Sequence, residues 1–121
     1  MSTPPFDDRD GLIWLDGELV PWRRANLHVL SHALHYASSV FEGERAYEGE
    51  IFRLDEHSAR LVRSAAALGF ELPASAAEIS ESCRQVLAAN RIGDGYVRPV
   101  AWRGAEEMSV AAPASRIHLA I

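Results

Sequence analysis

The chain is predicted to be α+β, a mostly antiparallel sheet with two main helices packed on it. Three observations lead there. Strand-like runs flank two-residue turns at Asp16-Gly17 and Glu48-Gly49, the kind that close antiparallel hairpins. Two segments of helical period follow, and strand-like runs then return at YVRPVAWRG and RIHLAI. Strands, then helices, then strands, without βα alternation, is the order of an α+β domain.

Residues 1–10, acidic and broken by prolines, are expected to be a disordered lead-in; 11–121 form the domain. LIWLDGELV gives the first hairpin, PWRRANL a polar connection and SHALHY a short helical turn. From Ser38 to Tyr47 the β-branched and aromatic content predicts one strand, with EIFR as its hairpin partner. Its period of two places Phe41, Gly43, Arg45 and Tyr47 on one face and Val40, Glu42, Glu44 and Ala46 on the other. Glycine inside a strand marks close approach by a ligand or another backbone, which singles out Gly43.

In LDEHSARLVRSAAALGF the period changes. Leu54, Leu61, Ala65 and Leu68 form an apolar stripe, and Gly69 stands where a helix C-cap belongs. Ser75 and Glu78 form a capping box, followed by the apolar face Ile79, Cys83, Val86 and Leu87. Tyr96, Arg98, Val100 and Trp102 then share a strand face, and Pro99 predicts a bulge or an edge because it cannot donate to a ladder.

Composition narrows the function. The 121 residues suit one domain, and no apolar run approaches the roughly 18 residues of a membrane span. The net charge of −5 comes with no basic block, which argues against nucleic acid as a partner. The N-terminus has no signal or transit pattern, so a cytoplasmic location is expected. Cys83 is the only cysteine and lies in a helical stripe, so core packing is its expected role. All twelve basic residues are arginine. No lysine amine is available for covalent chemistry with a carbonyl group.

The densest reactive stretch is HVLSHALHYASSVFEGERAY, from His28 to Tyr47. His28, His32 and His35 fall at helical spacing, but nothing supplies further ligands of known geometry, so no metal is expected. Ser38 and Ser39 lack a nucleophile elbow and read as turn residues. Glu42 and Glu44 read as protective charge on an exposed strand edge, unless an arginine or histidine faces them. The remaining option is a pocket. Phe41, Arg45 and Tyr47 on one strand and Tyr96 and Arg98 on another combine rings with guanidinium forks. Such a lining suits a small molecule with an acid group and a hydrocarbon part. Arg60, on the first long helix, offers a further anion contact.

SHALHYASSVFEGERAY, then IFRLDEHSARL and YVRPVAW, resemble the N-terminal domain of branched-chain-amino-acid aminotransferases, pyridoxal-phosphate enzymes of fold type IV. The resemblance runs from about Ile13 to the last residue. It implies that the parent protein moves an amino group between leucine, isoleucine or valine and 2-oxoglutarate. It implies a cofactor-phosphate contact for Arg60, a hydrocarbon pocket wall for Tyr36, Phe41 and Gly43, and substrate-acid contacts for Arg45, Tyr96 and Arg98. Ala37 and Ser109 stand where that family usually has glycine, and Glu44 where a hydrophobe is common.

In such enzymes the lysine that bears the cofactor lies in a second domain. This chain is therefore expected to be the N-terminal part of a longer enzyme, inactive alone, with apolar surface that favours a dimer or larger homo-oligomer. Two other readings stay open: a D-amino-acid aminotransferase or other class IV enzyme, and a non-catalytic binding or assembly module.

Overall fold

The computed structural model describes residues 2–121. Two antiparallel sheets and three helices make up the fold, in the α+β class the sequence predicts. β1 (Leu12–Leu15) and β2 (Glu18–Pro21) form the first hairpin. Asp16 and Gly17 both have positive φ (50° and 100°), as the tight hairpin turn demands. The polar connection contains a single 3-10 turn, Trp22–Arg24. Residues 2–10 form no helix or strand, and Arg23 pairs with Asp8 at 2.8 Å and Asp10 at 2.7 Å.

The short helix α1 (His32–Tyr36) ends at Ala37 in the left-handed region, φ 57°. Glycine takes that conformation without a Cβ clash, whereas alanine costs about 1 kcal/mol. The departure at this position thus carries a small strain.

The expected single strand over 38–47 is two strands. β3 (Ser39–Phe41) pairs with β7 (Val100–Arg103), and β4 (Glu44–Tyr47) pairs with β5 (Glu50–Ile51) and β6 (Gly95–Val97). The five-stranded sheet runs β2-β1-β8-β7-β3, with β8 spanning Ile117–Ala120; the three-stranded sheet runs β5-β4-β6. The break has a cause in Pro99, which has no N–H for a ladder. It is buried at the junction, where its carbonyl accepts from the Glu42 amide at 3.0 Å. Register is nevertheless continuous, with Phe41 opposite Val100 before the break and Glu44 opposite Val97 after it.

Alternation therefore survives the break. Val40, Glu42, Glu44 and Ala46 are buried; Phe41, Gly43, Arg45 and Tyr47 are exposed. The face expected for Tyr96, Arg98, Val100 and Trp102 survives as well, since Tyr96 lies opposite Arg45, Val100 opposite Phe41 and Trp102 opposite Ser39. Tyr96 and Arg98 are exposed on it, while Trp102 is buried because His118 of the neighbouring strand stacks on its ring at 5.4 Å.

α2 (Leu54–Ala67) and α3 (Ala76–Ala89) pack on each other and cover the core. After α2, Gly69 (φ 83°) donates to Ala66 and Phe70 to Ala65, the paired bonds of a Schellman stop. The capping box is present, with Glu78 N to Ser75 Oγ at 3.1 Å and Ser75 N to Glu78 Oε1 at 3.0 Å. The stripe on α2 differs from expectation at one end. Leu68 is 46% exposed, and Ser58 joins Leu54, Leu61 and Ala65 inside. Ser58 is tolerated there because its hydroxyl meets that of Ser80 at 2.8 Å.

Leu61 is the wholly buried leucine of α2. Leu61→Ala is expected to cost about 2–5 kcal/mol in denaturant unfolding, and Leu68→Ala less than about 1 kcal/mol. Equal losses would show that the helix faces are assigned wrongly. Among the described residues no helix is long and apolar enough to cross a membrane.

Candidate functional site

The buried face of the 39–47 ribbon carries two carboxylates side by side. Glu42 and Glu44 are 3% and 1% exposed, so the reading as charge on an exposed edge is overturned. The deciding factor is α2, which lays His57 and Arg60 against Glu42. At i and i+3 the two side chains share a helix face. Arg60 donates Nε–H to Oε2 and Nη2–H to Oε1, both at 2.8 Å, and His57 Nδ1 meets Oε1 at 2.6 Å. Burial pushes the Glu42 pKa up. The hydrogen bonds and charges of Arg60 and His57 together outweigh that and hold it below the usual carboxylate range.

The parallel pair of bonds fixes one edge of the Arg60 guanidinium. The side chain remains 59% exposed, and Nη1 makes no hydrogen bond within the described residues. It opens on a cleft of about 250 Å³ lined also by Arg53, His57, Arg63 and Glu56. Arg53 is paired with Glu56 at 2.7 Å. Hence an oriented guanidinium edge faces a cationic cleft, the donor set an anion such as a phosphate requires.

The opposite, exposed face holds the aromatic and arginine groups. Arg98 lies over the Phe41 ring, 3.7 Å from its centroid, and Nη1 donates to the Tyr96 hydroxyl at 3.2 Å. A Cβ built on Gly43 would stand 2.6 Å from the Tyr96 hydroxyl oxygen and 3.1 Å from its ring. The close approach inferred for Gly43 is therefore to the Tyr96 side chain. Arg45 is the cross-strand partner of Tyr96 and lies 5.7 Å from the Tyr47 ring centroid. Phe41 on β3, Arg45 on β4, Tyr96 on β6, and Gly43 and Arg98 at the junctions thus form one patch.

Tyr36 stands apart from them on α1. Its hydroxyl donates to the Met108 carbonyl at 3.0 Å, and its ring lies 4.5 Å from His32. No hydrogen bond or ring contact among the described residues joins it to Phe41 or Tyr96. Arg60 is likewise on the other side of the ribbon, reached through Glu42.

The histidines of the 28–47 stretch hold the chain in place. α1 starts at His32, so His28 is outside it, and its Nδ1 accepts from the Leu30 amide at 3.0 Å. His32 Nε2 faces the Ser109 carbonyl at 2.9 Å, an acceptor only, so that nitrogen carries the proton. Its Nδ1 then accepts from Ser38 Oγ at 2.7 Å. Among the described residues no carboxylate backs this Ser–His pair, and the far nitrogen of buried His32 is taken by the 109–110 backbone, so the pair is a fastening rather than a nucleophile. His35 donates to the Val29 carbonyl at 2.8 Å. No group of three or more potential metal ligands occurs among the described residues.

An apolar hollow of about 370 Å³ lies elsewhere, lined by Ile13, Leu15, Leu27, Leu34, Val100 and Trp102 among others. Asn26 and Ser39 are the polar residues of its lining, and no charged side chain is among the described residues that form it. The sequence reading missed Glu42 and His57 as partners of Arg60. The signal was present in Val40 and Ala46, apolar neighbours on the same period-two face.

Fold and site together define an α+β domain that fixes one arginine on a buried glutamate with its free edge in a cleft, and that displays an aromatic–arginine patch on its other face. The family described as amino-transferase class IV matches residues 39–121, and the chain belongs to it. The branched-chain-amino-acid aminotransferase of Pseudomonas aeruginosa is 45% identical over 118 residues, which are 94% of this chain and 38% of that protein. A probable branched-chain-amino-acid aminotransferase of Rickettsia felis is 48% identical over 101 residues, 84% of this chain and 35% of that protein. Among solved structures, the Escherichia coli branched-chain amino acid aminotransferase superposes with a TM-score of 0.88 at 39% identity. It covers 93% of this chain and 38% of that one. The branched-chain aminotransferase of the thermophilic archaeon Thermoproteus uzoniensis, solved with norvaline, gives 0.86 at 37% identity, covering 93% and 39%. A further branched-chain amino acid aminotransferase, complexed with N-(5'-phosphopyridoxyl)-L-glutamate, gives 0.85 at 42% identity, covering 93% and 40%. The chain therefore spans little more than a third of the length of these relatives.

Proposed function

We propose that these residues form the N-terminal lobe, 11–121, of a transaminase that exchanges an amino group between leucine, isoleucine or valine and 2-oxoglutarate, with pyridoxal phosphate as cofactor. The observation that carries the reading is Arg60, clamped on buried Glu42 with its free edge in a cationic cleft. That donor set fits a phosphate monoester. When bound, the cofactor supplies the electron sink that amino-group exchange requires.

The residues of this chain bind and orient. Arg60 holds the phosphate, and Glu42 keeps Arg60 from swinging away. Phe41 gives the hydrocarbon a wall, while Gly43 leaves room for the Tyr96 ring, whose hydroxyl stands with Arg98 on the acid side. Arg98 takes the side-chain carboxylate of the dicarboxylic partner, and Arg45 adds positive charge beside it. Tyr36, fastened to Met108, joins the hydrocarbon side from α1. None of these groups can move a proton as a lysine amine does, and the chain has no lysine. We assign that amine to a segment beyond these 121 residues. Exposed Val29 and Leu34, 65% and 63% accessible, support a homo-oligomer or a covering domain.

The test is an assay of the full-length protein beside the 121-residue chain. Transamination of L-leucine, L-isoleucine and L-valine with 2-oxoglutarate is expected only in the full-length protein. Turnover by the short chain would overturn the assignment of proton transfer to the missing lysine. A preference for D-amino acids would overturn the substrate class, and no turnover by either would favour a binding module.

A further inference from the structure

Glu44 has no role in the site just described, yet it is the most unusual group in the interior. It is 1% exposed, and among the described residues no nitrogen or oxygen donor reaches either carboxyl oxygen; the weakly donating Cys83 thiol is the polar group beside it. It sits on β4, two residues from Glu42 and opposite apolar Val97 of β6. The cations of the neighbourhood are already taken, because both Arg60 and His57 point at Glu42. From α3 it meets the Cys83 thiol, itself wholly buried. Burial raises that thiol's pKa, so it brings no charge of its own. Arg45, on the same strand, points to the exposed face. An ionised carboxylate left unpartnered in such a place costs several kcal/mol, whereas a neutral acid costs far less.

We propose that Glu44 stores a proton inside the domain and that its release loosens the packing of β4 against α2 and α3. Glu42 and Glu44 thereby divide the work of one strand face: the first keeps its charge because it holds the cations, the second stays neutral because none are left. Burial drives the Glu44 pKa up to about 7, with His57 and the Cys83 thiol pulling it down and Glu42 adding to the rise. The charged or titratable groups facing it are His57 from α2, Cys83 from α3, with Arg84 acting on that thiol, and Glu42 from its own ribbon.

Between the ordinary value of 4.5 and about 7 the folded domain binds one proton more than the unfolded chain. Stability from this group is complete below 4.5 and falls as pH rises, with the local opening constant growing about tenfold per pH unit across that window. Beyond the folded value the loss levels off.

The experiment uses the full-length protein and its Glu44→Gln and Glu44→Met variants, both neutral and of similar length. Infrared difference spectra of the wild type between pH 5.5 and 9 are expected to show a protonated-carboxyl band that vanishes at high pH and is missing from both variants. Hydrogen exchange at the α3 amides around Cys83, corrected for intrinsic rates, is expected to show opening that rises with pH in the wild type and stays flat in the variants. A carboxylate signal for Glu44 already at pH 5.5 would overturn the proposal, as would equal pH dependence in wild type and variants. If neither variant folds, Glu44→Asp, which keeps the carboxyl on a shorter arm, takes their place: the protonated-carboxyl band is expected to move in frequency or midpoint, and a band identical to the wild type would overturn the proposal.

Discussion

Arg60→Ala in the full-length protein is expected to weaken retention of pyridoxal phosphate on the order of 100-fold, equivalent to about 2–3 kcal/mol for lost hydrogen bonds to a charged group. Arg60 is more than half exposed, so its loss removes an anion contact and little core. The measurement is a titration of cofactor into the apo-protein by absorbance, with inorganic phosphate as competitor. Glu42→Gln is the companion. It keeps the shape but removes the charge that fixes the guanidinium edge, and it is expected to give a smaller loss of the same kind. If Arg60→Ala holds cofactor and phosphate as the wild type does, the anchor lies elsewhere and the cationic cleft is only a solvated helix face.

Arg98→Ala is expected to lower kcat/KM for glutamate and 2-oxoglutarate on the order of 100-fold, while leucine and its oxo acid change by less than about tenfold. Only the dicarboxylic partner brings a second carboxylate for the fork to grip. In the free domain Arg98 rests on Phe41 and Tyr96, so it is held in place before any ligand arrives. Measuring the two half-reactions separately reads the split directly. An equal fall in both would mean that Arg98 supports the pocket wall rather than an acid group.

Much of this domain could be read from residue order. The turns at Asp16-Gly17 and Glu48-Gly49 follow from the need for positive φ at both central positions. The capping box at Ser75 and the glycine stop at Gly69 are local bonds between neighbours, so a sequence can carry them whole. The alternation along 39–47 was legible even though the strand is not continuous, because register persists through the break.

What misled the reading was of another kind. Glu42 and Glu44 look like surface charge until a helix fifteen residues further on covers them. Leu68 fits the α2 stripe by spacing, but the helix ends there and turns it outward. Tyr36 lies five residues from Phe41 in sequence, yet α1 and the left-handed turn at Ala37 carry it to the 104–116 loop.

The sequence by itself determined the class of fold, its hairpins and caps, the face that each strand residue takes, and the absence of any lysine in these 121 residues. Those depend on backbone preference and period, which act over a few neighbours. Only the tertiary structure decided where the ribbon changes sheets, which carboxylate receives the cations, and which arginine is left with a free edge. Such outcomes depend on which groups meet across the core, where one pair of cations was enough for Glu42 and none remained for Glu44.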